Sequence, residues 1–322
     1  MIKIRKIKES DLTTWEDFVK NSNNGTIFHS LRFLSYHPPK RFKFHHLIFY
    51  KNNTLIACLP AGLNNTQLTS PLGGSYGSII TNNITFNEYE EIIDALIKYA
   101  RAKKFTNITL TPPPVIYLKY QNQLESFLLE YKGFNVLYHL ITNAVDLSTI
   151  DSNSILNSLT PMHKRAVKKS FNVGVTTSFS EDYSDFYKLL LKNKRKFNTT
   201  PTHTLKDIKY LTKVFPDSIK LLIAKSKEGQ TIAGILLFCT NEQTVLAFYI
   251  CHDYNYQHLR AVNRLFYDSI TWAIANNYRW FDLGVSMDTT SRNVMEPSRN
   301  LISFKEGIGT RGFLRTTYSL NL

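Results

Sequence analysis

The chain has 322 residues, of which 43% are hydrophobic and 13% aromatic, and its 39 lysines and arginines outnumber its 25 acidic residues by 14. This length suggests two domains, each with a core of its own. The 13 glycines and 11 prolines exclude a collagen-like or low-complexity chain, and the aromatic content excludes disorder throughout. The positive charge favours an anionic partner: nucleic acid, an anionic membrane surface or a phosphorylated small molecule.

Targeting and metal signals are absent from the sequence. The first twenty residues are charged and show no signal peptide, and no run of about 18 apolar residues exists. The three cysteines, Cys58, Cys239 and Cys251, lie in apolar strand-like runs, which is typical of reduced core residues. The nine histidines show no zinc-ligand spacing. We therefore expect a cytoplasmic protein without a metal.

In the N-terminal half, helical and strand patterns alternate along the chain. Apolar periodicity and capping signals predict helices over 11–20, 31–36, 86–103 and 121–131. Apolar runs bounded by turn residues predict strands over 45–50, 54–62 and 107–110, and a strand pair around 135–146. A glycine-rich loop, Ser70 to Gly77, separates the two sets.

The C-terminal half repeats this order of elements. Helices are predicted over 155–171, 183–196, 205–215 and 262–275. Strands are predicted over 174–179, 219–225, 231–239, 244–251, 279–284 and 312–320. The recurrence indicates a duplicated α/β domain, with one copy in residues 1–150 and the other in residues 151–322.

Three places suggest contacts with an anion. Residues 163–169 and 192–196 are basic clusters, each either a solvated helix face or a phosphate-binding surface. Arg260 opens the helix predicted from Val262, directly after a strand. A helix N-terminus offers unpaired N–H groups and partial positive charge, so this position suits a phosphate; helix capping beside a surface arginine is the alternative.

One glycine motif is a chance match. Gly307 to Gly312 fits the pattern GxGxxG, but the dinucleotide fingerprint needs a strand before it and a helix after it. Here a β-rich tail follows. No phosphate-binding P-loop, zinc-protease or nucleophile-elbow motif occurs either.

Short strings in order along the whole chain resemble the FemAB-like branch of the GNAT acyltransferases, including relatives described as BioF2-like. They are residues 28–33, 70–77, 163–169, 260–263, 278–284 and 304–307. The resemblance implies two tandem GNAT-like domains, each a mixed, mostly antiparallel sheet flanked by helices. It also implies transfer of an acyl group to an amine, with acyl-CoA or aminoacyl-tRNA as donor.

The resemblance assigns roles to particular residues. Lys305 is expected to stabilise charge in the transition state, with Asp282 orienting it or serving the fold. Contacts with the donor phosphates are expected from Arg260, Ala261, Asn263, Lys164, Arg165 and Lys168. Glycines let backbone N–H groups approach a ligand closely, so Gly73, Gly74, Ser75, Tyr76 and Gly77 are candidates to line the acceptor pocket, and an ordinary turn is the alternative. A base must take the proton of the attacking amine, and the candidates are His29, His203, Tyr249 and Asp253; positioning without a dedicated base is the alternative.

One departure from the family pattern narrows the choice of acceptor substrate. In members that build peptidoglycan bridges, a lysine after the early aromatic string grips the diphosphate of the acceptor, whereas His37 stands here. The sequence therefore favours an acyl-CoA-dependent enzyme acting on an amino sugar linked to a nucleotide. The alternatives are a FemX-like peptidyltransferase that uses aminoacyl-tRNA, and a non-enzymatic protein that binds polyanions.

Overall fold

Two units of structure divide the chain, and each is assembled from segments that are distant in sequence. The computed structural model describes residues 2–151, 154–196 and 198–322. Unit 1 contains the chain up to Ile141 together with Thr289–Glu296 and Phe313–Leu322, and unit 2 contains Thr142–Asp288 and Pro297–Gly312. The domain boundary near residue 150 stays a prediction.

The elements up to residue 146 belong mainly to unit 1. Its strands are β1 (Lys3–Lys6), β2 (Lys43–Phe44), β3 (Leu47–Lys51), β4 (Thr54–Leu59), β5 (Gly62–Asn64), β6 (Gln67–Ser70), β7 (Ile80–Thr81), β8 (Asn107–Leu110) and β9 (Asn135–Asp146), of which β9 ends in unit 2. Its helices are α1 (Leu12–Asn21), α2 (Leu31–Leu34), α3 (Phe86–Ala102) and α4 (Leu124–Tyr131). Short 3-10 turns occupy Glu9–Asp11, Ile27–His29 and Val115–Tyr117.

The following elements form unit 2. Its helices are α5 (Ile155–Ser158), α6 (Pro161–Asn172), α7 (Tyr183–Arg195), α8 (Leu205–Val214), α9 (Ala261–Ala275) and α10 (Arg299–Glu306). Its strands are β10 (Thr176–Ser180), β11 (Ile219–Lys225), β12 (Thr231–Cys239), β13 (Thr244–His252) and β14 (Trp280–Val285). The last strand, β15 (Arg311–Asn321), begins in unit 2 and continues into unit 1. Two 3-10 turns, Leu147–Thr149 and Tyr254–Leu259, complete the unit.

Unit 1 has two ladders of strands. One is antiparallel in the order β1-β3-β4-β7. In the other, β2, β5 and β6 are antiparallel neighbours, β6 runs parallel to β8, and β8 is antiparallel to β15. The helix α3 covers the core, and it begins at a capping box in which Thr85 and Glu88 satisfy each other's backbone N–H groups. Its apolar residues recur at helical spacing, so one face is buried and the other is charged.

Unit 2 is a mixed sheet with α9 on one face. The strands β10, β11, β12 and β13 are antiparallel neighbours, β13 and β14 are parallel, and β14 is antiparallel to β9. A bulge interrupts β13, because Tyr249 pairs with Leu236 while Ala247 pairs with Leu237. The core side of β13 therefore carries Ala247 before the bulge and Ile250 after it.

The predicted α/β class, with mixed and mostly antiparallel sheets flanked by helices, is confirmed. The single helix predicted over 155–171 is wrong, because Pro161 starts a new helix at its first position after α5 has ended. The strand pair predicted around 135–146 is one long strand, β9. The sequence pattern also missed β1, the β5–β6 hairpin and α10, which are short and carry mixed polarity.

Candidate active site

The candidate site of unit 2 starts where two parallel strands part. β13 and β14 pair at only three positions, from Thr244 opposite Trp280 to Leu246 opposite Asp282. Beyond that ladder β13 continues to His252, whereas β14 turns through a bulge at which Gly284 has φ +75°. Backbone N–H and C=O groups on the facing edges are therefore not used by this ladder. Such groups can bind an extended ligand.

A cleft of about 550 Å³ lies at the beginning of α9. It is bounded by α6, the end of β13, the 3-10 turn before α9, and Phe304 of α10. Three cationic side chains line it: Arg165, Lys169 and Arg260. Apolar lining comes from Ile250, Val262 and Phe304, among others. The cleft thus joins an apolar wall to a positively charged one.

Arg260 is the N-cap of α9 and has left-handed backbone angles, φ 62° and ψ 29°. A residue other than glycine in this region costs of order 1 kcal/mol or more, and such residues cluster at functional sites. Its side chain makes no cap hydrogen bond and is exposed. The N–H of Asn263 donates to the Arg260 carbonyl at 3.1 Å, whereas the N–H groups of Ala261 and Val262 have no acceptor among the described residues. The helix therefore presents its positive end to the cleft that Arg260 and Ala261 line.

His163 forms a fixed wall of the cleft. Its side chain is 2% exposed, and its Nδ1 accepts a hydrogen bond from Asn263 Nδ2 at 2.7 Å. Its ring meets Phe304 edge-on with centroids 4.9 Å apart. Burial lowers the pKa of His163, so the ring is neutral at pH 7. A Cβ on Gly307 would lie 2.4 Å from this ring, which explains the glycine that follows Phe304-Lys305-Glu306.

The second basic cluster lies at the rim of the same cleft. Lys192 forms an ion pair with Asp253 at 2.9 Å. Lys196 Nζ lies 3.4 Å from the centroid of the Tyr254 ring, a cation–π contact. The end of α7 therefore adds positive charge next to the turn that precedes Arg260.

Two of the predicted phosphate contacts lie outside the cleft lining. Lys164 donates a hydrogen bond to Asn157 Oδ1 at 2.6 Å, and Lys168 is exposed. Lys169, which the sequence analysis did not single out, lines the cleft instead. Successive residues of an α-helix project about 100° apart, so the helical register of α6 had to be known to separate Lys168 from Lys169.

Lys305 is buried at the end of β14. Its side chain is 3% exposed, and its Nζ donates to the carbonyl oxygens of Gly284 at 2.6 Å and Val285 at 3.1 Å. A third hydrogen bond reaches Ser286 Oγ at 2.9 Å. Burial lowers the pKa of Lys305 to about 8, and the charge of Asp282 acts in the opposite direction. Because an ammonium group has three donors, all of them hold the strand end in this arrangement.

Asp282 belongs to the same buried polar network. Its Oδ1 accepts hydrogen bonds from Thr142 Oγ1 at 2.6 Å and from the N–H of Gly284 at 2.7 Å. Ser286 Oγ, which Lys305 contacts, is also bonded to Asn143 Oδ1. Asp282 is fully buried and so fixes the bulge through which β14 turns. Thr142, Asn143 and Ser286 were not predicted from the sequence, although polar residues inside an apolar strand pattern are a usable signal.

The candidate bases lie in different places. His203 and Tyr249 contact each other in unit 2, with His203 Nδ1 3.0 Å from Tyr249 Oη, and both are outside the cleft lining. Asp253 lines the cleft, and the hydrogen bond with Lys192 holds the pKa of its carboxyl below the usual range. His29 lies in unit 1, where its ring bonds Gly77 O at 3.0 Å and burial lowers its pKa to about 4.

The predicted acceptor residues come together in unit 1. His37 Nε2 bonds Gly73 O at 2.7 Å, and a Cβ on Gly73 would lie 2.3 Å from that nitrogen. Tyr76 is buried and donates to Tyr117 Oη at 3.2 Å. Arg315, which the sequence analysis did not consider, stands over the Tyr76 ring at 5.0 Å from its centroid. The glycine-rich loop is thus in contact with a histidine at Gly73 and with an arginine at Ser75 and Tyr76.

Two kinds of feature are absent from the described residues. Within residues 2–151, 154–196 and 198–322, no group of three or more His, Cys, Asp or Glu side chains is placed to hold a metal ion. Across the same residues, no helix is long and apolar enough to cross a bilayer.

Comparison with known proteins identifies the fold. No protein-family model and no curated protein matches the sequence. Among solved structures, FemX is 12% identical with a TM-score of 0.74, covering 99% of this chain and 97% of that chain. L-PGS from Bacillus licheniformis is 12% identical with a TM-score of 0.62, covering 98% and 92%. A tandem GNAT protein from the clavulanic acid biosynthesis pathway is 9% identical with a TM-score of 0.56, covering 100% and 98%.

At these identities the likeness establishes the fold alone, and it does so over nearly the whole chain. The resemblance that the sequence strings indicated is confirmed at that level. The chain has the tandem GNAT-type fold that it shares with FemX.

Proposed function

We propose that this protein is an N-acyltransferase that moves an acyl group from acyl-CoA to the amine of a nucleotide-linked amino sugar, in the synthesis of a surface polysaccharide. The observation that carries the proposal is the cleft at the start of α9. It combines a helix N-terminus, Arg260 and two further cationic side chains at the end of β13.

The chemistry of CoA matches the two walls of this cleft. Its pyrophosphate and 3′-phosphate suit the N–H groups of α9 and the guanidinium groups of Arg165 and Arg260. Its pantetheine arm is extended and largely apolar, which suits Ile250 and Val262. The cleft volume of about 550 Å³ is within the range of small-molecule sites.

The reaction joins a nitrogen to the acyl carbon and releases a thiol. The neutral amine attacks the thioester carbonyl, the C–N bond forms, and negative charge collects on the carbonyl oxygen. The C–S bond then breaks, and the proton lost by the amine ends on the CoA sulfur. Because the N–H of Gly284 on β14 is held by Asp282, the donors for the oxyanion are backbone N–H groups on the edge of β13 beyond Leu246, where its ladder with β14 ends. Lys305 holds the end of β14 through two carbonyl groups. Positioning of the two substrates supplies the rest of the rate acceleration.

Donor binding tests the proposal directly. CoA is expected to raise the melting temperature of the protein, since it binds the folded state. The substitution Arg260→Ala removes one charge-assisted contact, which is worth about 1.5–3 kcal/mol, so donor KM should rise about 10- to 100-fold, more than kcat falls. The control is Lys206→Ala on α8, an exposed lysine outside the cleft lining. An unchanged donor KM in Arg260→Ala would remove the cleft from the donor site.

A second candidate donor is aminoacyl-tRNA, which the basic rim of the cleft favours. Lys196 extends the positive surface at the rim, whereas the charge of Lys192 is balanced by Asp253. Activity that ribonuclease abolishes, with donor binding that weakens steeply as salt rises, would favour this donor over CoA. Tight, salt-dependent binding to polyanions without any effect of CoA on melting would instead support a non-enzymatic binder.

A further inference from the structure

Arg315 of β15 is a partly buried cation without an anionic partner in unit 1. One of its Nη2 hydrogens is donated to Ser75 O, and its guanidinium stands over the Tyr76 ring. Its Nε is buried and has no acceptor among the described residues. No carboxylate of the described part of the chain lies within ion-pair distance of it.

Other arginines of this chain that pack against the fold do have carboxylate partners. Arg5 binds Asp11 through two hydrogen bonds of 2.7 and 2.8 Å. Arg264 binds Asp268 at 2.6 Å. A guanidinium has five N–H donors in a planar fork that matches an oxyanion. A partly buried arginine that leaves most of this fork unused is therefore an arrangement that a bound anion would complete.

The neighbouring loop supplies further donors. The backbone N–H groups of Gly73, Gly74 and Ser75 donate to no acceptor among the described residues. Gly73 has φ +84°, and its carbonyl is held by His37. Consecutive N–H groups around a left-handed residue form concavities that bind anions. Arg315 is fixed to this same loop through the Ser75 carbonyl.

The charge of the surroundings points in the same direction. Phe42 abuts Gly73, since a Cβ there would meet its ring at 2.8 Å. Arg41 lies over that ring, with its guanidinium carbon 5.3 Å from the ring centroid. A second cation, Arg41, therefore lies near the same loop, next to the ring that contacts Gly73. A group with more than one negative charge, such as a diphosphate, suits this pair better than a single carboxylate.

We propose that Arg315, together with the N–H groups of Gly73, Gly74 and Ser75, binds a phosphate group of the acceptor. This proposal rests on the proposed function, because it takes the glycine-rich loop as the acceptor side of the reaction. It identifies the acceptor class as phosphate-bearing, and Arg315 as the residue that selects it.

Calorimetric titration with UDP, a nucleoside diphosphate without an amine, tests the proposal without turnover. The substitution Arg315→Met keeps the unbranched apolar stem of the side chain and removes the fork, and it should weaken UDP binding about 10- to 100-fold. Arg315→Lys keeps the charge but not the planar donors, so its loss should be smaller. The matched control is Arg101→Met on α3, an exposed arginine in the same unit, which should bind UDP like the unchanged protein.

Each remaining outcome decides the question. UDP affinity within twofold of the unchanged protein in Arg315→Met, when circular dichroism shows a folded protein, would overturn the proposal. So would an equal loss in Arg101→Met, no UDP binding in the unchanged protein, or equally tight binding of the dicarboxylate glutarate. CoA binding separates the two proposals: Arg260→Ala should weaken CoA and leave UDP unaffected, whereas Arg315→Met should do the reverse. Loss of UDP in Arg260→Ala alone would place UDP in the unit 2 cleft and overturn this proposal.

Discussion

The contact between Gly307 and His163 predicts that one methyl group will damage the proposed donor cleft. In Gly307→Ala the new Cβ would lie 2.4 Å from His163 Cδ2 and 2.5 Å from its Nε2. Neither atom can retreat easily, because the ring is buried between Phe304 and its hydrogen bond with Asn263. The backbone itself is no obstacle, since Gly307 has a right-handed φ of −62°.

The expected loss of stability in Gly307→Ala combines overpacking, a lost hydrogen bond and a change in the entropy of the unfolded chain. Overpacking a buried site costs about 1–3 kcal/mol, and loss of the His163–Asn263 hydrogen bond adds about 1 kcal/mol. Reduced freedom of the unfolded chain returns about 0.4–1 kcal/mol when alanine replaces glycine. We therefore expect Gly307→Ala to lower the free energy of unfolding by about 1–4 kcal/mol and to raise donor KM, because His163 and Asn263 both line the cleft.

Urea unfolding of a double-mutant cycle measures this contact. His163→Ala removes the ring that the methyl group would strike, so adding Gly307→Ala to it should cost less than about 0.5 kcal/mol. The two substitutions should thus be strongly non-additive. If the double mutant loses the sum of the two single losses, or if Gly307→Ala alone is neutral, the close approach does not exist as described and the reasoning fails.

Two further outcomes are expected. Lys169→Ala should raise donor KM severalfold, whereas Lys168→Ala, whose side chain lies outside the cleft lining, should leave it unchanged; equal effects would refute the placement of these neighbours on α6. His29 is neutral in the folded protein because burial lowers its pKa from 6.5 to about 4, so stability should be lost as pH falls from about 6.5 towards 4, by at most about 3 kcal/mol. Urea unfolding at pH 7.0 and 4.5 should show a smaller pH effect in His29→Gln, and an equal effect in both proteins would contradict it.

The fold was largely predictable because its longer elements carry strong periodic signals. The antiparallel strands β11, β12 and β13 are apolar runs separated by polar turns, and α3 has both a capping box and an apolar face. The predictions that failed concern elements that are short or whose limits do not show in the apolar periodicity of the sequence. The division between α5 and α6 at Pro161 lay inside one continuous helical pattern.

The candidate site was predictable at its backbone landmarks and less so at its side chains. Arg260 follows a strand and opens a helix, so its place at the cleft could be anticipated. The hydrogen bonds of Lys305 could not, because its acceptors are carbonyl groups about twenty positions earlier in the chain, brought near by the bulge in β14. Arg315 was missed for a similar reason, since its partner loop is 240 residues away.

The sheet of unit 1 can be completed only after the last strand of the sequence has been synthesised, because β15 pairs with β8. Tyr318 lies opposite Leu110, and Leu320 lies opposite Ile108. The β8 edge of the sheet therefore stays unpaired until residues roughly 200 positions later in the chain have been synthesised. A nascent chain that carries everything up to Ile141 would expose that edge while unit 2 emerges from the ribosome. Exposed strand edges invite association with other chains. Chaperone protection during translation should therefore matter more for this protein than for one whose first half closes by itself.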